Sequence, residues 1–233
     1  MKMKNKKALQ KEAREKHRKF LRRNRKDEPE LERNKPSKYE KPTILIVCEG
    51  KNTEPSYFRQ FKLTTAEVKP IGEGFNTVTL VNRAIELSQK GYDQVWCVFD
   101  KDDFPDTDFN NAIQIAKTQN FGVAYSNQAF EYWILLHFDD HQGGGMHRNQ
   151  YDEKINNHLK NFGLSYDGQN SKVITEEIFD LLESIDEKFE KDRKTLAIER
   201  AKRIYNRLSN ISPAKEESST TVFKLVEELN KYI

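Results

Sequence analysis

The sequence predicts an α/β fold: a parallel sheet flanked by helices, followed by a helical C-terminal part and preceded by a basic, partly disordered N-terminal arm. Three observations carry that expectation. Short continuous runs of apolar, β-branched residues, as in strands buried on both faces, alternate with segments of helical periodicity. Beyond the loop at 161–171, apolar residues recur at helical spacing. The charge is also segregated. Residues 1–41 hold 17 basic and 7 acidic side chains, a net of +10, whereas residues 42–233 carry a net of −7.

The arm has too few large apolar groups to fill a core, and Pro29 and Pro36 mark it as a linker. Ala, Leu, Lys, Glu and Arg dominate residues 6–26, which suits a solvated helix. Its basic side chains suit either contacts with nucleic-acid phosphates or a solubilising extension. Residues 42–233 read as one domain, with a core over about 42–140 and a helical completion over about 150–233. Two cysteines, no apolar N-terminal segment and no run near the roughly 18 apolar residues of a membrane span point away from a disulfide scaffold, a secreted protein and a membrane partner. The expected compartment is the cytoplasm.

Thr43-Ile-Leu-Ile-Val-Cys48 is the first buried strand, ending at Glu49-Gly50. Asn52 or Thr53 can cap the helix that follows, Pro55 is tolerated in its first turn, and Tyr57, Phe58 and Phe61 share a face. A weaker strand spans Glu67–Ile71, and a helix carrying Val78, Val81, Ala84, Ile85 and Leu87 ends at Gly91. Gln94–Phe99 is the next buried strand and stops at Asp100. Asp108–Asn120 reads as helix, Phe121–Ser126 as strand and Ala129–Phe138 as an apolar helix, after which residues 141–146 and 161–171 read as loops. Three stripes follow: Ile178, Leu181, Leu182, Ile185 and Phe189; Ala197, Ala201, Ile204 and Leu208; and Val222, Leu225, Val226 and Leu229. The first is acidic and the second basic, which suits complementary neighbours or, for the second, a nucleic-acid face.

In a parallel sheet the ligand crevice lies beyond the C-terminal strand ends. Two strands end there in acids, one at Glu49 and one in Asp100-Lys101-Asp102-Asp103. If these strands are neighbours, Glu49 and Asp100 approach each other, and Asp102 points the way Asp100 does by the period-2 rule. Converging carboxylates repel unless a hard cation lies between them, and oxygen-only ligation suits Mg²⁺ or Mn²⁺, with Asp103 a further donor. Gly50 lets backbone or ligand come close. Lys51 and Lys101 flank the acids and can neutralise charge on a phosphate, and Ser126 and Asn127, at another strand end, can bind a phosphate or cap the next helix. Glu131 either supports the site from behind or faces outward. A lone strand-end acid is more often only a polar loop residue.

Thr43-Ile-Leu-Ile-Val-Cys-Glu-Gly-Lys-Asn-Thr-Glu-Pro-Ser-Tyr-Phe58, Phe99-Asp-Lys-Asp-Asp103, Ser126-Asn-Gln-Ala-Phe-Glu-Tyr-Trp-Ile-Leu-Leu-His-Phe138 and Ser218-Ser-Thr-Thr-Val222 resemble, in order, the motifs of the RloB-like family. The resemblance covers about residue 42 to the C-terminus and departs from the pattern at Gln128, where a proline is expected. It implies a Toprim-like sheet, a Mg²⁺ site at Glu49, Asp100 and Asp102, and nuclease action on DNA or RNA in bacterial phage defence and abortive infection. A partner ATPase of AAA or ABC type encoded nearby is also implied. The alternative is a non-catalytic binding or regulatory subunit of such an ATPase.

Other constellations are weaker. His137, His141 and His147 lack the further ligands of a zinc set. Cys48 and Cys97 read as small core residues. Gly72-Glu-Gly74 and Gly143-Gly-Gly145 lack the Lys-Ser/Thr of a phosphate loop, so ATP hydrolysis by this chain is not expected.

Overall fold

The computed structural model describes residues 41–70, 77–102, 105–208 and 210–233, together with Glu12, 14–16, Arg18 and Lys19. Residues 1–40 and 41–233 form separate compact units. In the first, the described residues are helical and Glu12 pairs with Lys16 one turn on at 3.5 Å. The expectation of a partly disordered arm lies outside the described residues.

The second unit runs β1 (Ile44–Cys48), α1 (Thr53–Arg59), β2 (Ala66–Pro70), α2 (Thr77–Ser88), β3 (Gln94–Asp100), α3 (Asp106–Thr118), β4 (Gly122–Asn127) and α4 (Glu131–Leu135). It continues with α5 (Tyr151–Leu159), α6 (Glu176–Glu183), the short β5 (Ile185–Asp186) and β6 (Lys191–Asp192), α7 (Arg193–Leu208), β7 (Ser219–Thr220) and α8 (Val222–Asn230). The main sheet has the order β2-β1-β3-β4-β7. Its first four strands are parallel and β7 is antiparallel to β4.

The apolar runs explain why the sheet is covered on both sides. Along β1, Ile44, Ile46 and Cys48 enter one core while Leu45 and Val47 enter another, as strand alternation requires. The smaller core lies under α2 and α3, where Leu80, Val81, Ala84, Phe109, Ile113 and Ala116 pack on Val95, Cys97 and Phe99. The larger holds α1 and every helix from α4 onward, built around Tyr57, Trp133, Tyr151, Leu182 and Leu225. Each such side chain contributes roughly 1.5–3 kcal/mol by burial. Cys48 and Cys97 are fully buried, and burial pushes both thiols up, Cys97 to about 12, which leaves them inert in the core.

This topology positions the site. From β1 the chain crosses to edge strand β2, then returns past β1 to β3 on its far side, so the switch point falls between β1 and β3. The segment after β1 enters α1 over the larger core, and the segment after β3 leads to α3 over the smaller one. The two strand ends therefore part into a crevice.

Several local expectations are corrected. Asn52 stands at the N-cap of α1 but makes no side-chain cap hydrogen bond. The apolar helix from Ala129 is regular only over Glu131–Leu135, after which His137 and Phe138 donate to carbonyls three residues back as the chain tightens into turns. Ile185 and Phe189 do not continue the α6 stripe. Ser184 is extended and ends the helix, so both fall in the β5–β6 hairpin and are exposed. The acidic α6 and basic α7 are complementary neighbours, with Lys194 on Glu183 at 2.5 Å, while Lys202 reaches Glu227 of α8 at 2.5 Å.

Candidate functional site: a carboxylate cluster at the switch crevice

Glu49, Asp100 and Asp102 lie where the parallel register puts them. β1 and β3 are adjacent, with Cys48 opposite Val98, so both strands release their next residues into the crevice. The Glu49 side chain turns across it, and its Oε2 accepts a hydrogen bond from the Asp100 backbone N–H at 3.1 Å. Asp100 has the parity of Val98 and therefore faces the larger core, on the side of α1 and α4. Burial pushes its carboxyl well above the usual range, reinforced by the negative charges of Glu54, Glu131 and Glu49 and opposed by Arg148. Glu49 is raised mainly by burial too, against the Asp100 amide and Arg148.

Glu54 is the residue that site reasoning passed over. It occupies the first turn of α1, is 5% exposed, and accepts a hydrogen bond from the Gly50 N–H at 3.3 Å. Burial raises its carboxyl to about 7, with Glu131 and Glu49 adding to the rise. The signal was in the sequence. An acid one helical turn beyond a strand-end glycine, just before a proline that fixes the helix start, is bound to point back at the strand end.

Glu131 opens α4 and faces the cluster. Its Oε1 accepts from the Tyr166 hydroxyl at 2.8 Å and from Thr53 Oγ1 at 3.5 Å, and the Thr53 and Tyr166 hydroxyls lie 3.0 Å apart. Thr53 is thus engaged in the site rather than in capping α1. One phenol ties the start of α1, the start of α4 and the loop after α5 into one wall.

Asp102 pairs with Arg148, a residue from the turn before α5 that carried no sequence signal. Arg148 is itself anchored: its backbone N–H donates to Gln128 Oε1 at 2.9 Å, and Gln128 Nε2 donates to Glu217 at 2.6 Å. Gln128 thus serves the site from the position where the family pattern expects proline. Asp103 lies outside the described residues.

The four proposed phosphate contacts divide. Lys51 is exposed on the loop after β1. Lys101 is turned toward the start of α3, donating to the Asp102 carbonyl at 3.0 Å and pairing with Asp106 at 3.3 Å. Ser126 and Asn127 are buried and bound elsewhere, Ser126 to Thr220 at 3.0 Å and Asn127 to the carbonyls of Pro213 and Ala214 at 3.3 Å. Neither caps α4, whose N-cap is Phe130. Ser126 fastens β7 to β4, Asn127 holds the turn at Pro213–Ala214 against the same strand, and Thr221 Oγ1 completes the seam by accepting from the Tyr125 N–H at 2.8 Å.

The family model described as RloB-like protein matches residues 44–229. The chain belongs to the RloB-like family. No curated protein matches it, and no solved structure does. The matched span covers the four RloB-like motifs named above apart from Thr43, and the fold brings them together: the first two form the crevice, the third supplies Glu131, and the last is the β7 seam.

Among the described residues, the crevice acids Glu49, Glu54 and Asp100 offer oxygen donors, which suits a hard divalent cation. Glu49, Glu54 and Asp100 are all raised by burial and by one another, with Arg148 the opposing side-chain charge on Glu49 and Asp100. That shortfall of positive charge is what a cation would relieve. Among the described residues, however, no group of three His, Cys, Asp or Glu side chains is arranged to hold a metal ion. The donor set fits in charge and chemistry, and Arg148 holds Asp102 out of it. The histidines stand apart: His137 is buried against Trp133, His141 is bonded to Tyr132, and His147 caps the turn that carries Arg148.

Proposed function

We propose that this protein is a Mg²⁺- or Mn²⁺-dependent phosphodiesterase acting on nucleic acid, a nuclease effector of phage defence working in the cytoplasm with a partner ATPase. The observation that carries the chemistry is the convergence of Glu49, Glu54 and Asp100 at the β1/β3 switch point, with the carboxyl groups held above their usual range. The Toprim assignment, the defence role and the ATPase rest on resemblance to the RloB-like family.

Glu49, Glu54 and Asp100 would hold the cation, with Asp102 joining on release from Arg148. When bound, the cation would polarise the phosphate and stabilise the leaving oxygen. Glu49, oriented by the Asp100 amide at Oε2, would accept or deliver a proton at its other oxygen, Oε1. Arg148 then carries a positive charge toward an approaching phosphate, and Lys51 supplies a second from the rim. Glu131, locked by Tyr166, keeps the α4 wall in place.

The test is incubation with tRNA, single-stranded DNA and duplex DNA in Mg²⁺ or Mn²⁺. Cleavage is expected from the wild type and not from Asp100→Ala or Glu49→Gln. Undiminished cleavage by both variants would remove the assignment. The Arg148–Asp102 pair favours one second reading, a regulatory subunit whose acids bind no metal. Calorimetry showing no metal uptake, together with tight binding to an ATPase encoded alongside, would establish it.

A further inference from the structure

A cleft of about 220 Å³ opens beside the carboxylate cluster and shares Glu131 and Arg148 with it. The remaining walls come from Ala129, from Asn149 in the turn before α5 and Asp152 in its first turn, and from Gly168, Gln169 and Lys172 in the loop after it. That loop is set in advance. The Asp167 carboxylate accepts from the backbone N–H groups of Gln169, Asn170 and Ser171 at 3.0–3.3 Å, and Asn156 brackets Tyr166 through both its backbone groups. Gln169 Nε2 donates to Asp152 at 2.6 Å, which turns the amide oxygen of Gln169 away from that carboxylate. Lys172 forms no ion pair with a described residue, so its charge is available to a ligand.

We propose that this cleft is a nucleotide subsite that receives one unpaired nucleotide next to the phosphodiester being cut. The proposal rests on the nuclease reading above and adds to it a substrate class, single-stranded or locally unpaired nucleic acid. Size is the first reason. The cleft is smaller than the roughly 300–1,000 Å³ of sites for whole small molecules and suits a single base, and a base still paired in a duplex cannot enter a concave pocket. Chemistry is the second. Lys172 offers a cation for one flanking phosphate and Arg148 a second on leaving Asp102, while Gln169, Asn149 and Asp152 offer hydrogen-bonding groups for a base edge. None of the lining residues is aromatic, so the subsite holds the base by its edge rather than by stacking. Arg148, common to cleft and cluster, sets the register between the bound nucleotide and the acids.

The full-length protein is titrated with fluorescein-labelled single-stranded and duplex oligonucleotides in Ca²⁺ and in EDTA, read by anisotropy. Lys172→Ala combined with Gln169→Ala is expected to weaken single-strand binding about tenfold at low salt and to flatten the salt dependence of log affinity by about 0.7 per lost phosphate contact. Lys172→Arg should retain binding, and Lys224→Ala on α8, outside the cleft, should leave it unchanged. Duplex binding should be weaker and insensitive to all of these changes. Wild-type binding that the cleft variants do not alter, or that Lys224→Ala weakens equally, overturns the subsite and leaves the nuclease reading standing. Equal losses on duplex overturn the unpaired substrate. No binding by the wild type in either condition overturns both.

Discussion

A β-carbon at residue 50 would lie 2.3 Å from Oε2 of Glu54, so Gly50 and the Glu54 carboxylate occupy mutually dependent space. The glycine lets the acid fold back onto its own N–H, and the acid fills what would otherwise be the glycine's side-chain volume. The crevice is therefore built from both.

Gly50→Ala should expel the Glu54 carboxylate from its place. The overpacked variant should lose roughly 1–3 kcal/mol of stability, keep its secondary structure and, on the function proposed above, lose cleavage and metal uptake together. Circular dichroism, thermal melts and calorimetry on one preparation measure all of these. An alanine variant with wild-type metal affinity would show that Glu54 is not part of the site.

Glu54 gives the metal-free protein a specific pH dependence. Its carboxyl stands at about 7 in the fold against an ordinary 4.5. Between those values the folded chain keeps a proton that the unfolded chain has released, so its contribution is complete below about pH 4.5 and fades as pH rises through 7. The full difference is about 3 kcal/mol at 1.36 kcal/mol per pH unit. In EDTA, urea denaturation of the wild type and Glu54→Gln should show the variant gaining relative stability from pH 5 to pH 8. A constant gap would mean that Glu54 is ionised throughout.

His137 acts in the opposite direction. Burial lowers it from 6.5 to about 3, outweighing its hydrogen bonds to the Trp133 and Ile134 carbonyls. Below about pH 6.5 the unfolded chain takes up a proton that the folded chain refuses, so stability falls as pH drops toward 3, at up to about 1.4 kcal/mol per pH unit. The imidazole resonances of His137 should stay flat from pH 8 to pH 5 in NMR spectra. A midpoint near 6.5 would show that the turn after α4 opens.

Deleting residues 1–38 should weaken nucleic-acid binding, most visibly at low salt, because the +10 arm is removed from a body of net −7. The melting temperature should not change. Unchanged affinity would leave the arm a solubilising extension.

The buried strands and the crevice between them were legible in the sequence because their cause is local. A run such as Ile44–Cys48 admits few structures, and an acid at its end has a defined place. Arg148, Tyr166 and the roles of Ser126 and Asn127 were not legible, because each depends on a partner far along the chain: Asp102, Glu131, Thr220 and the Pro213–Ala214 carbonyls. The two-residue β7 carries too little pattern to read as a strand and exists by pairing with β4. The α6 stripe misled through its period, since Ile185 and Phe189 keep helical spacing after the backbone has become extended.

The seam between β4 and residues 219–221 has a consequence for biosynthesis. The crevice draws on segments from Glu49 to Tyr166, whereas the edge of β4 is paired by β7, whose Ser219 and Thr220 lie well beyond Tyr166 along the chain. Domains fold as units during synthesis, so a nascent chain that has not yet emerged as far as Ser219 lacks the seam that closes β4. The edge of the sheet beside the crevice is therefore closed only after the segments that line the crevice have been made, and β7 works as a latch on their assembly.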